Sequence, residues 1–339
     1  MFMKKTATAI ALVLATGVTA SAETTLVFNR YLPDQNEIMR TGVLPWAKAV
    51  AEASNGSVTI DFTASSLAPP PAQLDMIRSG IADAAINLSS FTAKQWLAPL
   101  IGELPLQFEP ATSADFSVAL WRTYDKYFRE AEKLDGVHVV ALWSLSGNHV
   151  WNNKRPVQKI SDAQGLKMRV NPNGAAVTSA MGSVVVSRPA VESFEIITRG
   201  VVDGTVLPIS SVQGLRLLEE LRYGTLFGDG LYRSTVSIVI NEGVWDAMPE
   251  EDRRAIEQVS GEALARLAGG NLDTAETEVR ALLEPSGIEV FEMPAEETEK
   301  LVSAVAGEKD AWAARVTELG LDPEEVLAYF REQLAAAGE

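Results

Sequence analysis

The side chains able to do covalent chemistry are few and scattered. Two histidines occur, His138 inside an apolar run and His149 shortly after it. Neither has another His, Asp or Glu beside it at the spacing that metal ligation uses. His138, enclosed by apolar neighbours, reads as a structural residue. There is no cysteine, which removes thiolate nucleophiles, thiolate metal ligands and disulfides. No Gly-x-Ser-x-Gly elbow is present. Gly228-Asp229-Gly230 lacks both the third glycine of a dinucleotide-binding turn and the lysine of a phosphate loop. Carboxylates are plentiful, 45 Asp and Glu in all, but most fall on amphipathic stretches where water solvates them. The inventory supports no catalytic residue, no metal and no cofactor. What remains is recognition without bond-making.

Charge narrows what can be recognised. The 45 acids outweigh 29 Lys and Arg, a formal net charge of −16. Such a chain is repelled by nucleic acid and by anionic lipid headgroups. Most of that charge serves solubility. An anionic ligand would need specific cations to hold it against the background field.

The elements that must position such cations alternate along the chain. Apolar or β-branched runs at 26–29, 58–62, 84–88, 137–143, 166–170, 184–186, 205–207, 236–240 and 288–291 are bounded by turn residues. Amphipathic stretches at 37–53, 72–78, 113–133 and 322–337 lie between and after them. This alternation predicts an α/β architecture with largely parallel sheets. Residues 249–284 read as one helix kinked at Gly269-Gly270, with Glu250, Glu251 and Asp252 at its positive end. At 1.5 Å per residue such a helix would run roughly 54 Å, further than one domain.

Two segments resemble each other. Ile77-Arg-Ser-Gly-Ile-Ala-Asp-Ala-Ala-Ile86 parallels Ile197-Thr-Arg-Gly-Val-Val-Asp-Gly-Thr-Val206, each after a short helix opened by Pro-Ala. Gly80 and Gly200 can end those helices in the left-handed conformation. Coincidence between two helix-to-strand turns is one explanation. Two lobes of one plan, with a cleft between them, is the other, and such clefts favour small-molecule sites.

The N-terminus addresses compartment. Lys4 and Lys5 precede an apolar run over 7–15, and Ala20-Ser21-Ala22 follows. This is the layout of a secretory signal peptide over 1–22, cleaved after Ala22. The apolar run is too short to span about 30 Å of hydrocarbon, which needs roughly 20 residues.

The stretch from Leu142 to Pro208 is the most specific. It resembles the extracytoplasmic receptors of tripartite ATP-independent periplasmic (TRAP) transporters, the DctP family. The family's Lys-Ile-Arg-Val strand, Pro-x-x-Glu-x-Tyr helix and Gly-Val-Val-Asp-Gly turn read here as Gly165-Leu-Lys-Met-Arg-Val170, Pro189-Ala-Val-Glu-Ser-Phe194 and Gly200-Val-Val-Asp-Gly204. Asn152-Asn-Lys-Arg-Pro156, Ile160-Ser-Asp-Ala-Gln-Gly165 and Val244-Trp-Asp-Ala-Met-Pro-Glu-Glu-Asp-Arg253 fit in order, as do Leu32-Pro33 and Asn87-Leu-Ser-Ser90. The similarity extends over essentially the whole chain after the leader.

The resemblance implies a two-lobe periplasmic binding protein fold of the TRAP type. Mixed sheets flanked by helices would enclose a ligand cleft, and one long helix would span both lobes. Lobe I would comprise 23–145 with 235–270, and lobe II 146–234 with 271–339. The protein would be a periplasmic monomer, not an enzyme, that closes on a small organic acid and docks on the small and large integral membrane subunits. Taken alone, Arg169 reads equally as a surface residue paired with an acid. The resemblance implies that it grips the ligand carboxylate, whose geometry a guanidinium fork matches.

Departures from the family's pattern bear on the ligand. Asn148 stands where many relatives carry Arg, and Leu207 where they carry Asn. Trp151 and Phe194 add aromatic surface, with Phe194 read as core. Arg30 and Arg188 are candidate second cations, and Ser89 completes the expected site. Lacking a second cation at those positions, the site would favour aromatic or branched monocarboxylates over malate, succinate or fumarate. A secreted enzyme using His149 and a cleft acid is the alternative from another class, and a receptor feeding a sensor kinase is a third.

Overall fold

Strands form where the apolar runs lie. The computed structural model describes residues 23–337, so the leader over 1–22 lies outside the described residues. In chain order the strands are β1 (Thr24–Asn29), β2 (Val58–Phe62), β3 (Ala84–Leu88), β4 (Val137–Ser144), β5 (His149–Asn152), β6 (Lys167–Val170), β7 (Val184–Ser187), β8 (Gly204–Leu207), β9 (Tyr223–Leu226), β10 (Thr235–Asn241) and β11 (Glu289–Glu292). They build two sheets, ordered β2-β1-β3-β10-β4 and β11-β9-β5-β8-β6-β7. Read backwards, the second sheet repeats the first, with β11 added at one edge. In each, three parallel strands meet one antiparallel strand, β10 in the first and β5 in the second. The sheets are therefore mixed.

The internal repeat is real at the atomic level. Asp83 accepts from the Val27 amide (2.8 Å) and donates its own amide to the Val27 carbonyl (2.9 Å). Asp203 does the same with Lys167, at 2.9 and 2.8 Å. Asp83 thus ties β1 to β3, and Asp203 ties β6 to β8. Gly80 and Gly200 precede them with φ of 69° and 68°, a conformation that costs other residues about 1 kcal/mol or more.

Alternate residues of each strand enter cores on opposite faces of the sheet, as a two-residue period requires. Ile238 and Ile240 join Phe28, Trp46 and Trp143, whereas Val239 joins Phe116, Leu120 and Phe128. In lobe II, Val150 and Val206 face one core, and Trp151 and Leu207 the other.

The lobes are woven together. β5 belongs to lobe II but follows β4 of lobe I, and β10 returns from β9 in the opposite direction. The two connections run side by side: Leu145 donates to Ser234 (2.8 Å), Asn148 to Tyr232 (2.9 Å) and Leu231 to Asn148 (2.9 Å). They touch at glycine. A Cβ on Gly147 would sit 1.8 Å from the Asp229 carbonyl oxygen, and one on Gly230 would sit 2.5 Å from the Gly147 Cα.

Two expectations need correction. The helix read over 249–284 is two helices, Glu250–Gln258 and Gly261–Leu283. Ser260 is extended and Gly261 has φ of 56°, so the chain turns there. The Ser260 hydroxyl also accepts from the Trp46 indole at 2.9 Å. The helix runs unbroken through Gly269, which lets the backbone at Ala114 approach: a Cβ there would stand 2.4 Å from the Ala114 Cα. The second helix still bridges the lobes, with Leu264, Ala268 and Leu272 in the core of lobe I and Val279 and Leu283 in that of lobe II. The last helices, expected in lobe II, return to lobe I. Trp312, Val316, Leu327 and Phe330 share a core with Phe116, and the Phe330 and Phe116 rings are 5.1 Å apart. Among the described residues no helix is long and apolar enough to cross a membrane.

Candidate functional site

Arg169 sits in β6 between β7 and β8 and is 0% exposed. Its Nε donates to the Arg188 carbonyl at 2.8 Å, and Nη2 donates to the Asn171 side chain. Nη1 is buried and has no partner. No ion pair is formed by Arg169 among the described residues. Burial pulls its pKa down to about 10, so it stays charged at neutral pH. A buried charge without a counter-ion costs several kcal/mol. One nitrogen of this buried guanidinium is therefore available for a further hydrogen bond.

A partly enclosed cavity lies between the lobes. Lobe I contributes Tyr31, Asn36 and Glu37; lobe II contributes Asn148, Asn171 and Ser211. Apolar walls come from Leu32, Ile38, Leu88, Phe91, Leu145 and Leu207. Arg169 is not itself among the lining residues; it reaches the cavity through Asn171, which lines it and accepts from Nη2. The Tyr31 hydroxyl is buried without a partner, and burial pushes its ionisation far up, so it remains a donor. Among the described residues, Glu37 is the one charged side chain lining the cavity. Its Oε1 accepts from the Ser211 hydroxyl across the lobes at 2.6 Å, and its Oε2 accepts from Asn36 Nδ2 at 3.0 Å. Burial raises its pKa, against the pull of Arg40 and Arg169.

The expected residues divide. Asn148 and Leu207 line the cavity; Asn148 Nδ2 also donates to the Tyr232 carbonyl at 3.0 Å. Trp151 does not line it. Its indole is buried in the core of lobe II, donates to the Leu207 carbonyl at 2.9 Å and lies over Gly224. Arg30 points into an ion pair with Asp34 at 2.7 Å. Arg188 contributes its carbonyl to Arg169, while the residue itself is exposed. Ser89 is buried off the cavity, donating to the Thr235 carbonyl at 3.3 Å. Phe194, expected in the core, is 42% exposed at the cleft mouth with Val191 and Arg216. Tyr31, Asn36, Glu37, Asn171 and Ser211 were not read from the sequence.

Neither histidine is placed for catalysis. His149 is buried, its Nδ1 accepts from the Phe227 amide at 3.2 Å, and burial holds its pKa down at about 3. His138 stacks on Trp245 at 3.9 Å, and burial holds its pKa down at about 4. Neither lines the inter-lobe cavity. Among the described residues no group of acids and histidines could hold a metal ion. A larger, more open groove lined by Leu104, Phe108 and Val302 contains Arg233, already paired with Asp229 at 2.8 Å.

Comparisons with known proteins show the family and the fold. Residues 28–314 match the family described as bacterial extracellular solute-binding protein, family 7, or DctP. The outer membrane transporter protein TsaT of Comamonas testosteroni is 32% identical over 99% of both chains. The C4-dicarboxylate-binding periplasmic protein DctP of Rhodobacter capsulatus is 23% identical over 91% of this chain and 92% of its own. A TRAP periplasmic solute-binding protein from Bordetella bronchiseptica, solved with (R)- and (S)-mandelate bound, superimposes with a TM-score of 0.87 at 28% identity. That match covers 92% of this chain and 99% of the other.

Proposed function

Because the chain belongs to family 7 of the bacterial extracellular solute-binding proteins, the DctP family, we propose that it is the periplasmic receptor that delivers an aromatic or branched monocarboxylate to TRAP membrane subunits. The leader over 1–22 would direct export and be removed. Arg169 anchors the carboxylate, and the ligand then bridges the lobes and holds them closed.

The observation that carries this reading is the fully buried, ion-pair-free guanidinium of Arg169, with one nitrogen unused. The remaining lining favours a ligand with one charge. Arg30 and Arg188 are not among the lining residues, so a second carboxylate would be desolvated against Leu207, Leu88 and Phe91, or meet Glu37. Burying an unpaired charge costs several kcal/mol. An apolar body would gain about 25 cal/mol per Å² buried. The mandelate-bound Bordetella relative supports that choice; the Rhodobacter relative, named for C4-dicarboxylates, sets the competitor. The Comamonas relative is named for the outer membrane, but both sheets here are open-edged and flanked by helices rather than closed into a barrel.

Calorimetry tests the proposal. Mandelate, phenylpyruvate or 4-methyl-2-oxopentanoate should bind more tightly than malate, succinate or fumarate. Arg169→Ala should weaken the best ligand by roughly 30-fold to several-thousand-fold, the equivalent of about 2–5 kcal/mol. Dicarboxylates outcompeting every monocarboxylate, or near-normal affinity in Arg169→Ala, would overturn it.

A further inference from the structure

Glu37 is a liability in a cleft that takes anions, unless it has a task there. It is buried, it lines the inter-lobe cavity, and it lies within electrostatic reach of Arg169. Its orientation is fixed from both lobes: Asn36 holds one oxygen and Ser211 the other. Gly214 backs it, where a Cβ would lie 3.2 Å from Oε2. Its own backbone amide adds a third bond; a carboxylate has about four lone-pair sites, so acceptor capacity remains unused. The other unpartnered buried groups here, Arg169 Nη1 and the Tyr31 hydroxyl, are donors suited to the ligand carboxylate. Glu37 adds the opposite polarity, a fixed acceptor.

We propose that Glu37 sets specificity within this cleft by accepting a hydrogen bond from a hydroxyl on the bound acid and by repelling a second carboxylate at that position. This rests on the reading that Arg169 anchors a monocarboxylate. A hydroxyl satisfies an acceptor without adding charge, whereas a carboxylate brings a like charge into a site from which water is excluded. The charged groups facing Glu37 are Arg40 on its own segment, Arg169 on β6 and Glu276 on the Gly261–Leu283 helix. Burial outweighs them and raises the Glu37 pKa. A ligand with a second carboxylate would therefore bind better at lower pH, where Glu37 takes up a proton.

Three acids that share a phenyl body make the test: mandelate, phenylacetate, which lacks the hydroxyl, and phenylmalonate, which carries a carboxylate in its place. Their affinities are measured by calorimetry for wild type, Glu37→Gln and Ser211→Ala, with circular dichroism to show that each variant folds. Wild type should prefer mandelate to phenylacetate by about 10- to 100-fold, the range of one hydrogen bond to a charged group, and should bind phenylmalonate most weakly. In Glu37→Gln the mandelate preference should shrink to a few-fold, and phenylmalonate should gain at least about tenfold. Ser211→Ala should weaken all three alike and leave their ratios unchanged. If Glu37→Gln also weakens all three by one factor, Glu37 is only a latch between the lobes and the proposal fails. If wild type binds none of the three but binds succinate or malate, the monocarboxylate reading falls, and this inference with it.

Discussion

Asp273 and Glu276 stand about one turn apart on the Gly261–Leu283 helix and cap helices of opposite lobes. Asp273 accepts from the amides of Ser113 and Ala114 at 2.7 and 3.1 Å, at the start of the Ser113–Thr123 helix of lobe I. Glu276 accepts from the amides of Ile209 and Ser210 at 3.2 and 2.9 Å, at the start of the Ile209–Gly214 helix of lobe II. A carboxylate at a helix N-terminus satisfies amides that have no partner within the helix. One rigid helix thus holds both lobes by the same chemistry.

Asp273→Ala and Glu276→Ala should each lower stability by about 0.5–2 kcal/mol, the range for a lost N-terminal cap, read from urea unfolding. Their effects on binding should differ. The helix that Glu276 caps carries Ser211, which bonds Glu37 across the cleft. Glu276→Ala should therefore weaken ligand binding several-fold, while Asp273→Ala leaves it near wild type. Equal losses of affinity would contradict this division.

The adjacent glycines of the same helix should respond oppositely to alanine. A Cβ at Gly269 meets backbone at Ala114 and Ser113, whereas one at Gly270 has nothing within 4 Å. Gly270→Ala should raise stability by about 1 kcal/mol, from helix propensity alone. Gly269→Ala must push two helices apart and should cost about 1–3 kcal/mol. Thermal melts of the two variants decide the matter; a stabilised Gly269→Ala would mean that the helices do not pack so closely.

Glu103 gives the hinge a pH dependence. Its Oε1 accepts from the amide and hydroxyl of Thr235, both at 2.8 Å, where β10 re-enters lobe I. Burial pushes its pKa up to about 7. At low pH this acid is protonated in both the folded and unfolded states. As pH climbs past the ordinary glutamate range, the unfolded chain releases the proton first, so stability falls until about pH 7 and is level above it. Glu103→Gln should remove that fall, raising the melting temperature at pH 8 and changing little at pH 4. The gain at pH 8 has an upper bound on the order of 3 kcal/mol. A larger benefit at pH 4 than at pH 8 would refute the assignment.

Local pattern made most of the scaffold legible. Runs of Val, Ile and Leu marked strands such as β3 and β10, and the paired Gly-x-x-Asp turns announced two lobes of one plan. β5 and β9 were missed because His149-Val-Trp-Asn152 and Tyr223-Gly-Thr-Leu226 interleave polar residues or glycine with apolar ones and present no continuous apolar run. The helix break at Ser260-Gly261 was misplaced because Gly269-Gly270 is the louder local signal; the actual turn follows from the left-handed Gly261. Arg169 stood out because its strand is part of an ordered set of motifs. Tyr31, Glu37 and Ser211 did not. They are single polar residues on separate segments, and only the packing of one lobe against the other brings them together. Trp151 and Phe194 exchanged roles for a related reason. Composition shows that an aromatic is present, but which face of the strand or helix it occupies depends on register.

The crossing of the two connections has a consequence for how the molecule comes into being. β10 lies inside the first sheet between β3 and β4, pairing Val236 with Leu88 on one side and with Trp143 on the other. A chain ending at residue 234 would already contain β1 to β4, yet their sheet would lack the strand that joins β3 to β4. Neither lobe can be completed from one continuous stretch of sequence, and pairings between such distant residues form slowly. A nascent chain of this topology therefore stays open until most of it has been synthesised. The weave that couples the lobes therefore also sets the order in which the first sheet can close.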